Sequence, residues 1–158
     1  MPVPRTFPPS MSEHRLQNAI YQFFHGKRHP ITIPNCGACG VGKADLLSVT
    51  KAHLVHEVEI KHTVADFHRD FEEKTYKHHA LANQKGYRTA NYFWFGVPED
   101  LIEPDDVPDY AGLLYVNEAG GVDEIISAPR IHSKKLRERD RAYIERGLTL
   151  RYWNTRLT

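Results

Sequence analysis

Hydrophobic positions follow two different periods along the chain. Leu16, Ile20 and Phe24 recur at helical spacing behind Ser12, a typical helix N-cap. Other short apolar or alternating segments lie between glycines, prolines and polar residues, as strands do. The predicted elements are a helix at 12–25, strands at 31–34, 44–50 and 54–61, a helix at 66–83, strands at 91–97, 112–116 and 122–127, a basic helix at 133–146 and an extended segment at 148–153. This order predicts an α/β fold with a mixed central sheet flanked by helices.

The strands at 44–50 and 54–61 are joined by a turn short enough for a hairpin. If that turn is centred on Ala52, antiparallel pairing places Asp45 directly opposite Glu59. Opposed residues share a face of the sheet, with Cβ atoms ~4.5–5.5 Å apart. A register shift of one residue would move Asp45 to the other face, so the prediction depends on this turn.

Glu57 and Lys61 lie on the same face as Glu59 because side chains alternate along a strand. Facing carboxylates repel each other and destabilise a sheet unless a cation offsets their charge. Mg²⁺ fits such a site because it binds a few carboxylates and keeps several waters. The alternative is a solvent-facing strand on which Lys61 pairs with Glu57 or Glu59.

Asp45, the hairpin and Glu59-Ile60-Lys61 resemble the Asp…Glu-x-Lys signature of the PD-(D/E)xK nuclease superfamily. The segments KADLLSV, LVHEVEIKHTVADFHRD, YFWFGVP and DYAGLLYV resemble MmcB-like DNA-repair endonucleases, across roughly residues 12–130. The resemblance implies a restriction-endonuclease-like core of order αβββαβ, followed by a C-terminal α/β extension. Ala44 stands where the superfamily's name has proline, and some members of the superfamily have lost catalysis.

The resemblance also implies a mechanism, metal-dependent hydrolysis of DNA phosphodiester bonds that leaves 5′-phosphates. Asp45, Glu59 and the carbonyl of Ile60 would hold Mg²⁺ or Mn²⁺, and Lys61 would position or activate the attacking water. Glu13, on the first helix, would add a further metal ligand. Its alternative role is that of an acid favourably placed at a helix N-terminus.

Nucleic-acid contacts are expected mainly from the basic C-terminal third, where residues 130–158 hold nine Lys or Arg against three acids. In contrast, residues 98–124 hold nine acids and no Lys or Arg. The candidate phosphate-binding residues are Lys43, Lys74, His78, Lys134, Lys135, Arg137 and Arg141. The partner is DNA, with RNA as an alternative. The basic third also fits a solvated helix face, and Lys74 and His78 fit side chains at a packing edge.

Four charged residues in the helix at 66–83 follow i,i+4 spacing, which predicts ion pairs on the helix surface. They are Asp66, Asp70, Glu73 and Lys77.

Two further motifs are weaker. The segment GACGVGK, residues 37–43, resembles a phosphate-binding loop, but Ala44 lacks the hydroxyl that binds Mg²⁺, and a strand follows. Cys36 and Cys39 form half of a Zn²⁺ site, and histidines would have to supply the other ligands. Two reduced thiols in a loop are the commoner arrangement.

At 158 residues the chain is long enough for one domain, predicted at 12–158 after a Pro-rich, disordered lead-in at 1–11. No apolar run approaches the ~20 residues of a membrane span, and the N-terminus lacks a signal core, so a cytoplasmic protein is expected. A homodimer stays open. Two other functions remain: a non-catalytic nucleic-acid-binding or protein-interaction module on the same fold, and a zinc-stabilised binding protein.

Overall fold

A computed structural model describes residues 12–37, 42–83 and 89–158 of the chain. The lead-in at 1–11 and Cys39 therefore lie outside the described residues. The helices are α1 (Glu13–Gly26), α2 (Val64–Glu73), α3 (Thr75–Asn83) and α4 (Glu138–Leu157), and a single 3-10 turn covers Pro104–Asp106. The strands are β1 (Ile31–Cys36), β2 (Ala44–Val49), β3 (Val55–Ile60), β4 (Tyr92–Pro98), β5 (Ala111–Val116) and β6 (Val122–Ile126).

The six strands form one sheet in the order in which they occur along the chain. The pairs β1–β2 and β2–β3 are antiparallel, the pairs β3–β4 and β4–β5 are parallel, and β6 returns antiparallel to β5. A parallel neighbour requires a crossover, and α2 and α3 supply it between β3 and β4. The predicted α/β class with a mixed sheet is confirmed, and the architecture fits a restriction-endonuclease-like core.

Helix α1 covers one face of the sheet. Leu16, Ile20 and Phe24 are fully buried against a cluster that includes Val58 of β3. The close approach depends on Gly96 of β4, since a Cβ there would lie 2.5 Å from the Cδ1 of Ile20. The helix begins where predicted, because the side chain of Ser12 accepts a hydrogen bond from the backbone N–H of residue 15.

The opposite face is covered by α2 and α3 and, beside them, by α4. Phe67 of α2 and Leu81 of α3 pack on the aromatic residues of β4. Ile144 of α4 packs beside them, on a cluster that includes Ile33 of β1 and Leu47 of β2. The candidate site lies on this second face. Within the described part of the chain, no helix is long and apolar enough to cross a bilayer.

Two secondary-structure predictions are wrong. The helix expected at 66–83 is interrupted at Lys74, where α2 ends and α3 begins a residue later. The basic helix begins at Glu138 and continues to Leu157, so the segment 148–153 is helical instead of extended. Residues 133–137 lie outside the helix. The side chain of Asn91, which directly precedes β4, donates a hydrogen bond to the carbonyl of Lys134 and so holds this segment against the sheet.

Candidate metal centre

The hairpin between β2 and β3 has the predicted register. Leu46 pairs with Val58 and Val49 pairs with Val55, and continuing this ladder by one residue places Asp45 opposite Glu59. The turn is closed by the backbone N–H of residue 50, which donates to the carbonyl of residue 54 at 2.9 Å. The two carboxylates therefore share the second face, at the open end of the hairpin.

Asp45 is a partly buried carboxyl group that lies beside Glu59. Its Oδ2 accepts a hydrogen bond of 2.7 Å from the backbone N–H of Ile60. Burial raises the pKa of Asp45 to about 7, and the charges of Glu59 and Glu13 add to the shift. Among the described residues, no Lys, Arg or His forms a salt bridge with Asp45.

Glu57 and Glu59 are almost completely buried and lie beside the ammonium of Lys77. Its Nζ is 2.5 Å from Oε2 of Glu57 and 3.0 Å from Oε1 of Glu59, and Lys74 contacts the other oxygen of Glu59 at 3.1 Å. Burial opposes ionisation of Glu59, but the attraction of Lys77 and Lys74 outweighs it and lowers the pKa.

The neighbouring Glu57 behaves in the opposite way. Burial raises its pKa to about 7, despite the ion pair with Lys77. Its Oε1 is buried and has no hydrogen-bond partner among the described residues. Glu57 and Glu59 thus share one buried lysine, but the pKa of Glu57 is raised and that of Glu59 is lowered.

Asp70 of α2 contacts Lys61, Lys74 and His78 beside the two glutamates. Its Oδ1 lies 2.7 Å from the Nζ of Lys61 and 3.1 Å from that of Lys74, and its Oδ2 lies 2.6 Å from the Nε2 of His78. Burial opposes ionisation of Asp70, but hydrogen bonds from His78 and Lys61 outweigh it and hold its pKa well below the usual range. The hydroxyl of Tyr110 contacts the other ring nitrogen of His78 at 2.5 Å. Asp70 therefore fixes the ammonium groups of Lys61 and Lys74 beside Glu59.

The surface ion pairs predicted for Asp70 and Lys77 are wrong, because both side chains are buried against the sheet. Asp66 does pair on the surface, with Arg69 at 3.1 Å. The buried residues are Phe67 and Asp70 in α2 and Lys77, His78, Ala80 and Leu81 in α3. The break at Lys74 interrupts their spacing, so no single helical period in the sequence identifies Asp70 and Lys77 as buried.

The donor set at the open end of the hairpin fits a hard divalent cation. Asp45 and Glu59 offer two carboxylates, and Mg²⁺ is commonly held by one or two of these and by waters. The N–H and C=O of a strand residue point to the same side, so we expect the Ile60 carbonyl to face Asp45 as well. The described residues include no group of three or more His, Cys, Asp or Glu side chains arranged to hold a metal.

Of the other predicted site residues, one group lies toward the Asp45–Glu59 end of the hairpin and a second group lies near the hairpin turn. Glu13 lies at the start of α1, and its charge contributes to the raised pKa of Asp45, which places it near the carboxylates. Lys43 is exposed and precedes β2 directly. Lys74 and His78 face the sheet as expected, although their partners there are Glu59, Asp70 and Tyr110.

The basic residues expected to follow a phosphate backbone lie near the hairpin turn. They are Lys134, Lys135, Arg137 and Arg141. Arg141 contacts the ring of His53 at 3.1 Å, and the N–H of Leu136 donates to the His53 carbonyl. His53 lies in the hairpin turn, roughly 17 Å along β2 from Asp45. The structure therefore does not bring this group to the candidate metal centre.

The two weaker motifs are only partly described. Cys36 is a buried free thiol at the end of β1, and Cys39 lies outside the described residues, so the zinc prediction stays untested. β2 begins at Ala44, directly after the glycine-rich segment. The absence of a helix at that point agrees with the sequence argument against a nucleotide-phosphate loop.

Comparisons with known proteins report on the fold. A scan against protein-family models finds no match, and no curated protein matches the chain. A solved structure, the SPO1766 protein of unknown function from Silicibacter pomeroyi, is similar with a TM-score of 0.58 at 16% identity. The match covers 96% of this chain and 90% of that one. At this identity the likeness supports a shared architecture and carries no information on activity.

Proposed function

We propose that this protein is a Mg²⁺- or Mn²⁺-dependent nuclease that hydrolyses DNA phosphodiester bonds. The observation that supports the proposal is the register of the hairpin, in which Leu46 pairs with Val58, so that Asp45 and Glu59 follow as the next opposed positions and Lys61 lies two residues after Glu59. The resemblance to MmcB-like endonucleases extends the proposal to a cytoplasmic role in DNA repair, with products that carry 5′-phosphates.

The chain's own residues would have distinct roles. Asp45, Glu59 and the carbonyl of Ile60 would hold the ion, with Glu13 as a further ligand. When bound, the ion supplies Lewis-acid activation of the phosphate and lowers the pKa of a coordinated water. Lys61 is held 4.0 Å from Glu59, where its ammonium can orient a water or meet a phosphate oxygen.

Lys74 and Asp70 support that arrangement. The side chain of Lys74 is 36% exposed, so its ammonium can reach an incoming phosphate while it contacts Glu59. Asp70 does not reach the solvent and acts as a positioning residue, since it contacts Lys61 and Lys74 through the same oxygen. Its full burial makes this a fixed anchor for both lysines.

A second function is favoured by a specific observation. Both carboxylate oxygens of Glu59 already contact lysines, Oε1 with Lys77 and Oε2 with Lys74. A cluster that neutralises itself in this way is also suited to a non-catalytic nucleic-acid-binding or protein-interaction module.

The test is a cleavage assay with labelled single-stranded, duplex and branched DNA, in Mn²⁺ or in EDTA. The informative variants are Asp45→Asn and Lys61→Met, because both side chains are partly exposed and their loss leaves the buried ion pairs of Lys77 intact. Asp123→Asn is the matched control, because it removes an exposed carboxylate on β6.

We expect Mn²⁺-dependent cleavage by the wild type and the control, and loss of cleavage in both site variants. Cleavage that persists in EDTA, or in Asp45→Asn, would contradict the proposal. DNA binding without cleavage in every metal and substrate would favour the binding module.

A further inference from the structure

Helix α4 runs along the sheet from the hairpin turn toward the candidate metal centre. Just before the helix, the N–H of Leu136 donates to the carbonyl of His53 in the turn at 2.8 Å. Near the other end of α4, Arg151 donates to the carbonyls of Pro34 and Asn35 at the end of β1, at 2.5 and 2.9 Å. The direction of the helix follows from these two anchors.

The anchor of Arg151 is one strand away from Asp45. Pro34 pairs with Leu46, and Cys36 pairs with Ala44, so Asp45 lies between these two pairs on the neighbouring strand. Adjacent strands are ~4.8 Å apart. The side chain of Gln17 contacts both strands at this point, since its Nε2 donates to the carbonyl of Asp45 at 2.8 Å and lies 3.4 Å from Oδ1 of Asn35. The C-terminal turns of α4 are thus at the same end of the sheet as the carboxylates.

Beyond this anchor α4 leaves the sheet. Residues 151–158 are all exposed, and the helix continues to Leu157, roughly 10 Å past the anchor. The aromatic side chains here are unusually accessible: Tyr152 is 58% exposed and Trp153 is 48% exposed. The guanidinium of Arg156 lies 5.8 Å from the Trp153 ring centre. We call residues 151–158 the helical overhang.

The charge of this region favours a polyanionic partner. From residue 146 to residue 158 the chain contains three arginines and no acid. Exposed aromatic rings beside arginines are the arrangement by which proteins hold unpaired bases, since the rings stack on bases and the cations meet phosphates. Bases in a duplex already stack on one another and offer no free faces to Tyr152 and Trp153.

We propose that the helical overhang binds single-stranded nucleic acid and presents it to the Asp45–Glu59 pair. The proposal rests on the proposed nuclease function for the cleavage step, but binding of nucleic acid to the overhang can be tested without that activity. A second copy of the chain, docking its acidic segment 98–124, is the competing occupant of the same surface.

The test measures binding of a labelled oligothymidylate of about 20 nucleotides by fluorescence polarisation in EDTA, beside a duplex of equal length. Trp153→Ala removes the stacking surface, and Tyr143→Ala is the matched control, an exposed aromatic residue of α4 that precedes the overhang. Both positions are exposed, so we expect both variants to fold, with circular dichroism as the check.

We expect Trp153→Ala to weaken oligothymidylate binding at least about fivefold and Tyr143→Ala to leave it nearly unchanged. We also expect the duplex to bind more weakly than the single strand. Equal losses in both variants, no loss in Trp153→Ala, or a preference for duplex would each overturn the proposal. Self-association that disappears in Trp153→Ala, with no oligothymidylate binding, would assign the surface to a second copy.

The same variants separate this proposal from the proposed function. Trp153-dependent binding with no cleavage in Mn²⁺ would support the overhang as a single-strand site and count against the nuclease. Mn²⁺-dependent cleavage of single strands that is unchanged in Trp153→Ala would support the nuclease and overturn the role of the overhang.

Discussion

Replacement of Asp45 by asparagine is expected to stabilise the fold at neutral and alkaline pH. The pKa of Asp45 rises from 3.8 to about 7 in the folded protein, mainly through burial and then through repulsion by Glu59. Asparagine removes the charge but keeps an oxygen that can accept the hydrogen bond from the Ile60 N–H. A side chain that is costly to ionise is therefore exchanged for a neutral one of nearly the same shape.

The magnitude follows from the shift in the pKa of Asp45. Each pKa unit is worth about 1.4 kcal/mol, so a rise of the pKa from 3.8 to about 7 gives an upper limit of ~4 kcal/mol. The carboxylate is partly exposed, so solvent screening reduces this to about 2 kcal/mol. In a chain of this size that corresponds to an increase in the melting temperature of roughly 4–8 °C at pH 8.

The sign of the pH dependence is fixed by the same shift. Because the pKa of Asp45 is higher in the folded state, its stabilising contribution is complete below pH ~4 and is lost as the pH rises through about 7. The advantage of Asp45→Asn should therefore be small at pH 4 and reach its full value near pH 8. The difference between variant and wild type isolates this effect from that of Glu57, whose pKa is also raised.

Thermal melts of the wild type, Asp45→Asn and Asp123→Asn at pH 4, 6 and 8, in EDTA, provide the measurement. Asp123 is an exposed residue of β6, and its replacement should change the melting temperature little at any of these pH values. A lower melting temperature for Asp45→Asn at pH 8 would refute the reasoning, since it would show that the ionised Asp45 stabilises the fold. An increase independent of pH would also contradict it.

Two further predictions concern stability. Lys77→Met should lower the free energy of unfolding by about 3–5 kcal/mol in urea titrations, because it leaves the buried Glu57 and Glu59 without their shared cation; a loss below ~1 kcal/mol would show that the pair is not needed. Gly112→Ala should destabilise the protein by about 1–3 kcal/mol in the same assay, and more than Gly96→Ala. The new Cβ at Gly112 would lie 2.7 Å from a backbone nitrogen, whereas at Gly96 it meets the movable end of a side chain; the reverse order would contradict this.

The hairpin was the most predictable part of the site. A three-residue turn between two strands leaves few registers, and the alternation of Val58 and Ile60 with Glu57 and Glu59 separates an apolar face of the strand from a charged one. The position of Asp45 opposite Glu59 follows from these local patterns alone.

The ion-pair network beyond the hairpin was harder to predict. The i,i+4 spacing of Glu73 and Lys77 fits a surface ion pair as well as a buried one. Only the packing of α2 and α3 on the sheet shows that Asp70 and Lys77 are buried, Asp70 beside His78 and Lys77 beside Glu57. The pairing of Lys77 with Glu57 depends on that tertiary contact and has no local signal.

The C-terminal helix shows how tertiary packing overrides a local pattern. Leu148-Thr149-Leu150 alternates as a strand does, and aromatic residues follow. In the structure Ile144 and Leu148 lie one helical turn apart and pack against the cluster around β1. Burial of these two residues against the sheet selects the helix.

Calorimetric titration of Mn²⁺ into the wild type and Asp45→Asn at pH 7 measures whether Asp45 holds a metal ion. We expect the wild type to bind Mn²⁺ and to release a fraction of a proton from Asp45, so that the heat depends on the ionisation enthalpy of the buffer. We expect Asp45→Asn not to bind the ion in the same concentration range. Equal binding by both proteins, or no binding by the wild type, would contradict the assignment of the Asp45–Glu59 pair as a metal centre.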